Sequence, residues 1–376
     1  MKSLVDSYIE KLNPYVPGKP VEELERELGI TGSIKLASNE NPLGPSPKAV
    51  EAMMQWASRA HIYPDAAAHN LKAALAEYHQ VTPKEIIAGN GSNELLTLAV
   101  RTFCCAARDR GVISDYSFVV YAIIMQAHNI GFTRVPMQAG LVHDLEAMAE
   151  AVTPETKIVF VANPNNPTGT YVGREALRTF LRTVPEEVVV VIDEAYHDYV
   201  QAEDYSSAED LRGERERLIL CRTFSKCYGL AGVRVGYALA SPEMIDMMNR
   251  VREPFNCNLL GQNAAVAALG DLEFIERSVR VNEEGRARFE KALLAMADRG
   301  VTWTPSQTNF LLVRTPFDGS AVNDGLLRRG VIVRPMAGYG LAKDLRITIG
   351  TMEEVDRCVT ALDEVLSELE QEEASR

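Results

Sequence analysis

The chain has 376 residues, of which 46% are apolar, and its formal net charge is -13 at pH 7. A charge of that sign disfavours nucleic acid or an anionic membrane as the main partner. The first residues lack the apolar core of a signal peptide, and no run of about 18 apolar residues occurs. We therefore expect a globular protein of the cytoplasm, with enough apolar residues for more than one domain.

Six cysteines are scattered along the chain without the paired spacing of a zinc or redox site. They occupy positions 104, 105, 221, 227, 257 and 358. We expect reduced thiols that mostly fill the core, and no bound metal.

The first 45 residues predict an arm that leads into the body of the protein. Val21–Leu28 has the charged pattern of a helix, and Gly29 is suited to end it. Residues 35–45 then pass from apolar residues into Asn, Pro and Gly, which favour a loop whose side-chain amides could bind a ligand. A polar surface loop explains this stretch equally well on local grounds.

A glycine-rich turn separates a predicted strand from a predicted helix. Residues 86–89 form an apolar run, and residues 95–103 have the pattern of an apolar helix. Gly91, Ser92 and Asn93 stand between them, where free backbone N–H groups and the positive end of the helix dipole suit a phosphate. Many such turns bind nothing, so this motif is weak by itself.

Short apolar runs alternate with helical stretches through the middle of the chain. The runs lack period-two alternation, as expected for strands that helices cover on both faces. They are residues 111–114, 157–162, 188–192, 218–221 and 235–239, after helices over about 47–60 and 69–79. The predicted fold class is α/β, with a mostly parallel sheet flanked by helices in a large domain over residues 46–250.

After about residue 242 the pattern changes. Helices are expected over about 242–252, 258–269 and 271–299, then strands at 310–313, 331–334 and 345–349, then a helix with Val355, Cys358, Val359, Leu362, Leu366 and Leu369 on one face. This pattern predicts a smaller α+β domain over residues 251–376. The arm of residues 1–45 is expected to pack with it and with a partner subunit.

Polar side chains follow three of the predicted strands in turn. Asn166 follows the run at 157–162, Asp193 and Tyr196 follow the next run, and Lys226 follows the one after. Each residue alone is typical of a turn or a cap. The carboxyl ends of parallel strands meet at one edge of a sheet, so these side chains would come together there. A shared site explains the coincidence better than independent turns do.

Lys226 stands among hydroxyls and small residues rather than on a charged face. Thr223 and Ser225 precede it, and Arg234 follows after a stretch rich in Gly and Ala. Such a segment can carry a nucleophilic amine that forms a Schiff base with a carbonyl cofactor, while the hydroxyls and the guanidinium hold a phosphate. A surface turn is the alternative when the segment is taken alone.

Together these motifs resemble those of fold-type I pyridoxal-5'-phosphate (PLP) aminotransferases over almost the whole chain. The resemblance implies that Lys226 holds the cofactor covalently and acts as the base, that Asp193 faces the pyridine nitrogen, and that Tyr116 stacks on the ring. Asn166 and Tyr196 would contact the phenolic oxygen. The other cofactor contacts implied are Gly91, Ser92, Asn93, Thr223, Ser225 and Arg234 around the phosphate, with Tyr63 from a neighbouring subunit.

Further segments resemble the histidinol-phosphate aminotransferase family. They are residues 13–19, 37–44, 63–65, 252–258, 308–310 and 333–335. The resemblance implies a homodimer that transaminates histidinol phosphate with 2-oxoglutarate in histidine biosynthesis, giving imidazole-acetol phosphate and glutamate.

The same resemblance implies a set of substrate contacts. Arg346 would bind the α-carboxylate of the donor, and it or Arg334 would bind the phosphate. Tyr15 would reach the substrate from the arm, and Asn41 would offer its amide. Tyr63 would reach the site of the neighbouring subunit, which is why a homodimer is expected.

Two departures from that family and three alternatives stay open. Residues 114–121 lack the proline-led form of the family, and Cys227 replaces a small residue that usually lacks sulfur. An aromatic amino-acid aminotransferase and a threonine-phosphate decarboxylase are alternatives on the same scaffold. A non-enzymatic PLP-binding regulator is the alternative from another class, but it would normally carry a basic DNA-binding segment, and none is visible.

Overall fold

The computed structural model describes residues 4–375, so residues 1–3 of the predicted arm and residue 376 of the predicted small domain lie outside the described residues. The described chain contains thirteen strands in three sheets. In chain order they are β1 (Ile34–Lys35), β2 (Ile86–Gly89), β3 (Arg110–Ser114), β4 (Gly131–Val135), β5 (Thr156–Ala162), β6 (Val189–Asp193), β7 (Leu218–Thr223), β8 (Gly236–Leu239), β9 (Thr302–Thr304), β10 (Phe310–Arg314), β11 (Val331–Ile332), β12 (Arg334–Pro335) and β13 (Asp344–Thr348).

Thirteen α-helices occur in the same residues. In chain order they are α1 (Ser7–Glu10), α2 (Val21–Leu28), α3 (Pro47–Ala57), α4 (His69–His79), α5 (Ser92–Phe103), α6 (Val120–Ala127), α7 (Leu145–Glu150), α8 (Arg174–Thr183), α9 (Pro242–Val251), α10 (Leu259–Leu269), α11 (Leu272–Leu294), α12 (Gly319–Arg328) and α13 (Met352–Ala374). None of these helices is long and apolar enough to cross a lipid bilayer.

The larger sheet has seven strands in the order β2-β8-β7-β6-β5-β3-β4. Strand β8 is antiparallel to both of its neighbours, and all the other pairs are parallel. Alternate side chains of β5 and β6 are buried in two different core clusters, one on each face of the sheet. The mostly parallel α/β fold, with helices on both faces, is confirmed.

Strand β4 at the edge of this sheet has no counterpart among the predicted strands. Only Val135 of its five residues is fully buried. Strand β4 is only partly covered, unlike the fully buried edge strand β2, so its sequence lacks the continuous apolar run that identifies the others.

The smaller sheet is antiparallel and has the order β12-β13-β10-β9. Its core includes Val355, Cys358, Leu362 and Leu366 of α13, which lie on the predicted apolar face. Helices α11 and α12 pack in the same cluster through residues such as Phe289. The predicted α+β pattern is therefore present, with β9 as an additional short strand.

The arm joins this smaller unit. Strand β1 pairs in parallel with β11, and Leu24 and Ala37 pack against Ile332. Helix α2 ends at Gly29, which has a φ of 67° in the left-handed region that favours glycine. The arm is thus held by a short strand pair and a small apolar cluster.

Helix α10 lies on the large domain, although the predicted boundary at residue 251 assigns it to the small one. It packs against α3 and α4, and Ala264 and Ala265 belong to the core of the larger sheet. Helix α11 begins against that core and ends in the core of the smaller sheet. Helix α11 therefore contacts both cores. The domain boundary at residue 251 stays a prediction, since a helical pattern does not show which neighbour a helix packs against.

Strands β5, β6 and β7 place their carboxyl ends side by side. Ala162 at the end of β5 pairs with Asp193, and Asp193 pairs with Cys221 of β7. The smaller sheet faces this edge, since Arg346 on β13 donates a 2.6 Å hydrogen bond to Asn166 in the turn after β5. Residues from both sheets therefore meet at one place, as expected for ligand sites of open α/β sheets.

Candidate active site

A cavity of about 190 Å³ lies between the carboxyl edge of the larger sheet and the smaller sheet. The residues that line it come from the arm and from both sheets. They are Tyr15, Ser38, Asn39, Ser92, Asn93, Phe118, Tyr121, Ala162, Pro164, Asn166, Asp193, Ala195, Tyr196, Thr223, Ser225, Lys226, Arg234, Arg334, Tyr339 and Arg346. Most of the predicted site residues are thus brought together in one cavity.

Lys226 extends its amine into the wall of this cavity. Its Nζ donates a 3.0 Å hydrogen bond to the carbonyl oxygen of Ser38 and lies 5.7 Å from the centre of the Tyr196 ring. Burial and the nearby positive charge of Arg346 lower the pKa of Lys226 to about 7. A large share of the amine is therefore unprotonated near neutral pH, which is the form that acts as a nucleophile or a base.

Asp193 is the last residue of β6 and is buried at the floor of the cavity. Its Oδ2 accepts a 2.8 Å hydrogen bond from the hydroxyl of Tyr121, and its Oδ1 accepts one of 3.2 Å from the backbone N–H of Ala195. Burial raises the pKa of Asp193 to about 6, against the opposing effect of these donors. Such a carboxyl is suited to a cationic partner inside the cavity.

An anion-binding corner lies where α5 begins. Gly91 precedes this helix with a φ of 76°, and Ser92 and Asn93 in its first turn line the cavity. A Cβ on Gly91 would lie only 2.3 Å from Nη2 of Arg234, so glycine allows the guanidinium to approach the helix end. Arg234 Nη1 also donates to Ser225 Oγ at 3.2 Å. The free N–H groups, the hydroxyl and the cation suit a phosphate.

Arg346 is the most buried cation that lines the cavity, with 7% of its surface exposed. Its Nη1 donates to Asn166 Oδ1 at 2.6 Å, and its Nη2 donates to the carbonyl oxygen of Ala37 at 2.7 Å. Its Nε is buried without a partner among the described residues. A guanidinium held this way presents a fixed fork for a carboxylate or a phosphate ester.

Arg334 lies nearer to the mouth of the cavity. Its Nη2 donates to the carbonyl oxygen of Val16, and its guanidinium carbon lies 5.4 Å from the centre of the Tyr15 ring. Tyr15 is 48% exposed. The arm therefore forms part of the cavity wall at this end, and contact of Tyr15 with the substrate stays a prediction.

Four predicted site residues do not line the cavity. Tyr63 is 78% exposed and stacks on Phe255 outside it, and Gly91 stands behind Ser92. Asn41 is turned away, because its Nδ2 donates to the carbonyl oxygen of Cys227 and to Ser278 Oγ. The amide of Asn41 therefore has a structural role in the described chain, and its contact with a ligand stays a prediction.

Tyr116 also lies outside the cavity, although it is predicted to stack on the cofactor. It packs against Leu312, Met336 and Leu341 of the smaller unit, and its backbone has a φ of 48°. Two other aromatic residues of the segment 114–121, Phe118 and Tyr121, line the cavity. Stacking of Tyr116 on the cofactor stays a prediction.

Several cavity residues are absent from the sequence prediction. Ser38 and Asn39 lie in a loop that was read as polar, Tyr121 lies in an apolar helix pattern, and Tyr339 lies in a loop after β12. The amides in the loop of residues 35–45 indicate a ligand, but its sequence does not show that Asn39 lines the cavity. Tyr121 and Tyr339 carried no local signal.

Comparisons with known proteins agree with this geometry. A family model described as aminotransferase class I and II matches residues 31–362. Histidinol-phosphate aminotransferase 2 of Methylococcus capsulatus is 47% identical over 363 residues, which cover 95% of this chain and 97% of that protein. Histidinol-phosphate aminotransferase 2 of Pseudomonas aeruginosa is 47% identical over 97% of this chain and 98% of that protein.

Solved structures give the same result. Histidinol-phosphate aminotransferase from Sinorhizobium meliloti in complex with pyridoxal-5'-phosphate superposes with a TM-score of 0.86 at 30% identity, covering 98% of this chain and 99% of that one. Aspartate aminotransferase from Thermus thermophilus with maleate has a TM-score of 0.82 at 21% identity, which shows a shared fold alone. The chain therefore belongs to the class I and II aminotransferases and, within them, to the histidinol-phosphate aminotransferase family, whose members it matches over nearly their full length.

Proposed function

We propose that this enzyme binds pyridoxal 5'-phosphate and transfers an amino group between histidinol phosphate and 2-oxoglutarate. The observation that carries the proposal is the set of groups around one cavity. An amine of lowered pKa, a buried carboxylate and an anion-binding corner surround it, and a buried guanidinium faces them from the smaller sheet. The similarity over the full chain to proteins named for this reaction supports the choice of substrate.

The residues present fit the proposed cofactor. The close approach of Arg234 to Gly91 at the start of α5 forms a cradle for a phosphate, with the hydroxyl of Ser225 beside it. Asp193 is buried deeply enough that a cationic ring nitrogen would be its natural partner. When bound, the cofactor supplies an aldehyde for an amine and a ring that accepts electrons. Lys226 is the cavity amine that would hold it.

Lys226 has the properties of the general base. With its pKa near 7, Nζ is free to take a proton from the α-carbon of the amino donor and to release it again. Its hydrogen bond to the carbonyl oxygen of Ser38 holds the free amine in the cavity wall. We therefore expect the amine of Lys226 to both take up and release this proton at pH values close to neutral.

Two arginines are proposed to bind the anionic groups of both substrates. Arg346 is fixed by Asn166 and Ala37, so its remaining N–H groups can hold the α-carboxylate of glutamate or the phosphate of histidinol phosphate. Arg334 is available at the cavity mouth beside Tyr15. One guanidinium could serve both half-reactions, because histidinol phosphate carries its phosphate ester where glutamate carries its α-carboxylate.

A homodimer is proposed to complete the site. Tyr63 is absent from this chain's cavity and stacks on Phe255 with ring centres 4.6 Å apart. Ile62, the residue before Tyr63, is 49% exposed, and Met54 on α3 is 74% exposed. A cluster of exposed apolar side chains is characteristic of an interaction surface, and a second copy of the chain would allow Tyr63 to reach the partner's cofactor site.

The test begins with the absorbance spectrum of the purified protein after addition of PLP. A visible band that persists after gel filtration is expected, and glutamate should form when glutamate-free protein is supplied with histidinol phosphate and 2-oxoglutarate. Neither band nor product would remove the proposal. A band without product would favour the aromatic enzyme, which phenylalanine with 2-oxoglutarate would detect, and carbon dioxide released from threonine phosphate would identify the decarboxylase.

A further inference from the structure

Residues 37–39 lie where the arm, the larger sheet and the smaller sheet meet. Their three successive carbonyl oxygens accept hydrogen bonds from three different elements. The pairs are Ala37 with Arg346 Nη2 at 2.7 Å, Ser38 with Lys226 Nζ at 3.0 Å, and Asn39 with Asn309 Nδ2 at 3.0 Å. This short segment therefore contacts both the guanidinium and the amine on which the proposed function depends.

The side chain of Asn39 adds a link across the cavity. Asn39 is 1% exposed, and its Nδ2 donates a 2.9 Å hydrogen bond to the hydroxyl oxygen of Tyr196. Its Oδ1 accepts from Thr348 Oγ1 at 3.1 Å, and its backbone N–H donates to the same Oγ1 at 2.9 Å. Thr348 follows Arg346 by two positions on β13. Asn39 thus joins the phenol of the larger domain to the strand that carries the buried arginine.

The contact with Asn39 fixes which way the Tyr196 proton points. An amide nitrogen only donates, so the phenol oxygen must be the acceptor. The O–H of Tyr196 is then left to donate elsewhere, and Tyr196 lines the cavity. Burial raises the pKa of Tyr196 to about 12, so the phenol keeps its proton at working pH. Asn39 consequently presents Tyr196 to the cavity as a hydrogen-bond donor.

The backbone at this position restricts which residues can occupy it. Asn39 has a φ of 56°, in the left-handed region where Asn, Asp and Gly are tolerated better than other residues. Asn39→Gly removes the side chain without backbone strain. Asn39→Asp keeps an oxygen for Thr348 but replaces the donor that faces Tyr196 with a second oxygen.

We propose that Asn39 is a positioning residue that fixes the Tyr196 hydroxyl as a donor toward the phenolic oxygen of the bound cofactor and couples it through Thr348 to the substrate-binding strand. This inference rests on the proposed function. It predicts that loss of the Asn39 amide weakens the same hydrogen bond that Tyr196→Phe removes. The two substitutions should therefore not act independently.

The first test is a pH titration of the visible absorbance of the PLP-loaded protein. Asn39→Gly should raise the midpoint of this titration by about 0.5 to 1 pH unit. The phenolic oxygen of the cofactor would then receive a weaker hydrogen bond and keep more negative charge, which stabilises positive charge beside it. Tyr196→Phe should move it in the same direction, and the double variant should move no further than Tyr196→Phe alone. The upward shift for Asn39→Asp should exceed the shift for Asn39→Gly, since Tyr196 would turn its proton toward the new carboxylate.

The second test uses cofactor-free protein and needs no activity. In a double-mutant cycle of Asn39→Gly and Tyr196→Phe, the two single losses of Tm should together exceed the loss in the double variant by about 1 to 2 °C. Asn41→Ser is the matched control. It breaks the equally buried contacts to Cys227 and Ser278, so it should lower Tm while leaving the absorbance midpoint unchanged.

Two results would overturn the inference: a midpoint for Asn39→Gly that stays at the wild-type value, or additive shifts in the double variant. Absence of any visible band in PLP-treated wild-type protein would instead remove the proposed function. The cofactor-free cycle would still decide whether Asn39 and Tyr196 are coupled, so the two failures are distinguishable.

Discussion

The hydroxyl of Tyr121 on α6 donates a 2.8 Å hydrogen bond to Oδ2 of Asp193 at the end of β6. Tyr121 is fully buried and stacks on Phe160 with ring centres 4.9 Å apart, so its position is set by the core rather than by a ligand. The core therefore holds the carboxylate in place before any cofactor binds. Its burial destabilises the charged form of Asp193, and this effect is measurable without the cofactor.

Replacing Asp193 with Asn should stabilise the cofactor-free protein above pH 6. The pKa of Asp193 is raised from 3.8 in a model peptide to about 6 in the folded chain. Its contribution to stability is therefore complete below the unfolded value and is lost as pH rises through about 6. Asp193→Asn should gain about 1 to 3 kcal/mol over wild type at pH 7 and little at pH 4, as measured by thermal unfolding.

The exposed Asp324→Asn on α12 is the control for that experiment and should show no such change between the two pH values. The same Asp193→Asn protein should lose most of its transaminase activity, because an amide cannot stabilise positive charge on the ring nitrogen. A stability difference that does not grow with pH would contradict the buried, uncompensated state of this carboxyl.

The rate of PLP capture by the cofactor-free enzyme should follow the ionisation of Lys226. Since the pKa of this amine is lowered to about 7, the rate should be about tenfold lower at pH 6 than on its high-pH plateau. Arg346→Met removes the cation that lowers the pKa of Lys226 most and should move the midpoint upward. Stopped-flow absorbance measures both effects.

Lys226→Ala should bind PLP without covalent attachment and lose at least about a thousandfold in kcat. Mass spectrometry after borohydride reduction should show no added cofactor on this variant. The exposed Lys84→Ala should react like wild type in both assays. Near-normal multiple turnover by Lys226→Ala would show that another group is the base.

A buried ion pair at the ends of β6 and β7 in the larger sheet should be necessary for stability. Arg222 and Glu194 are 5% and 0% exposed in their side chains and lie 3.0 Å apart, next to Thr223 and Asp193 in the chain. Arg222→Met leaves Glu194 buried without its partner and should cost about 3 to 5 kcal/mol of unfolding free energy. The exposed pair of Arg250 and Asp246 provides the control, since Arg250→Met should cost less than about 0.5 kcal/mol.

Adding Glu194→Gln to Arg222→Met should recover part of that loss in chemical denaturation, because the uncompensated charge is removed. A small loss for Arg222→Met would mean that water, or the hydroxyl of Ser207 and the backbone N–H of Ala208 that donate to Glu194 at 2.8 Å and 2.6 Å, compensates the remaining carboxylate sufficiently. Loss of activity beyond the loss of folded protein would place the pair among the groups that position Asp193 and Thr223.

The parts of the site that sequence analysis located share one physical property. Asn166, Asp193 and Lys226 each follow a buried strand, and adjacent parallel strands bring their carboxyl ends together whatever the rest of the chain does. The local pattern of a buried strand followed by a polar residue therefore predicted which distant residues come together. The continuous apolar runs identified the same strands. The half-buried strand β4 was not predicted because it lacks such a run.

The parts that were not predicted depend on contacts between distant segments. Asn39 meets Thr348 across 309 positions, and nothing in the residues around either one indicates the pair. Tyr116 and Phe118 are both aromatic, and the sequence does not show that Phe118 lines the cavity while Tyr116, whose backbone is left-handed, does not. The sequence of α10 likewise does not show whether this helix packs on α3 of the large domain, as it does, or on the smaller unit.

The effects of substituting Arg346 and Arg334 should differ when both half-reactions are measured. Arg346 is buried and fixed by two hydrogen bonds, so Arg346→Met should lower kcat/KM about a hundredfold or more for glutamate and for histidinol phosphate alike. Arg346→Lys should not restore it, because an ammonium cannot contact Asn166 and Ala37 while holding an anion through a fork. Arg334 is partly exposed, so Arg334→Met should have a smaller effect, concentrated in KM.

Single-turnover kinetics with each substrate separately gives these values, and Arg314→Met is the control on the same sheet. Arg314 pairs with Asp344 at 3.0 Å and is 55% exposed in its side chain, so its loss should leave both half-reactions unchanged. If Arg346→Met impaired only the amino acid and Arg334→Met only the phosphate ester, each anion would have its own guanidinium. The shared role of Arg346 would then be wrong, since one fixed fork serving both substrates must weaken both when it is removed.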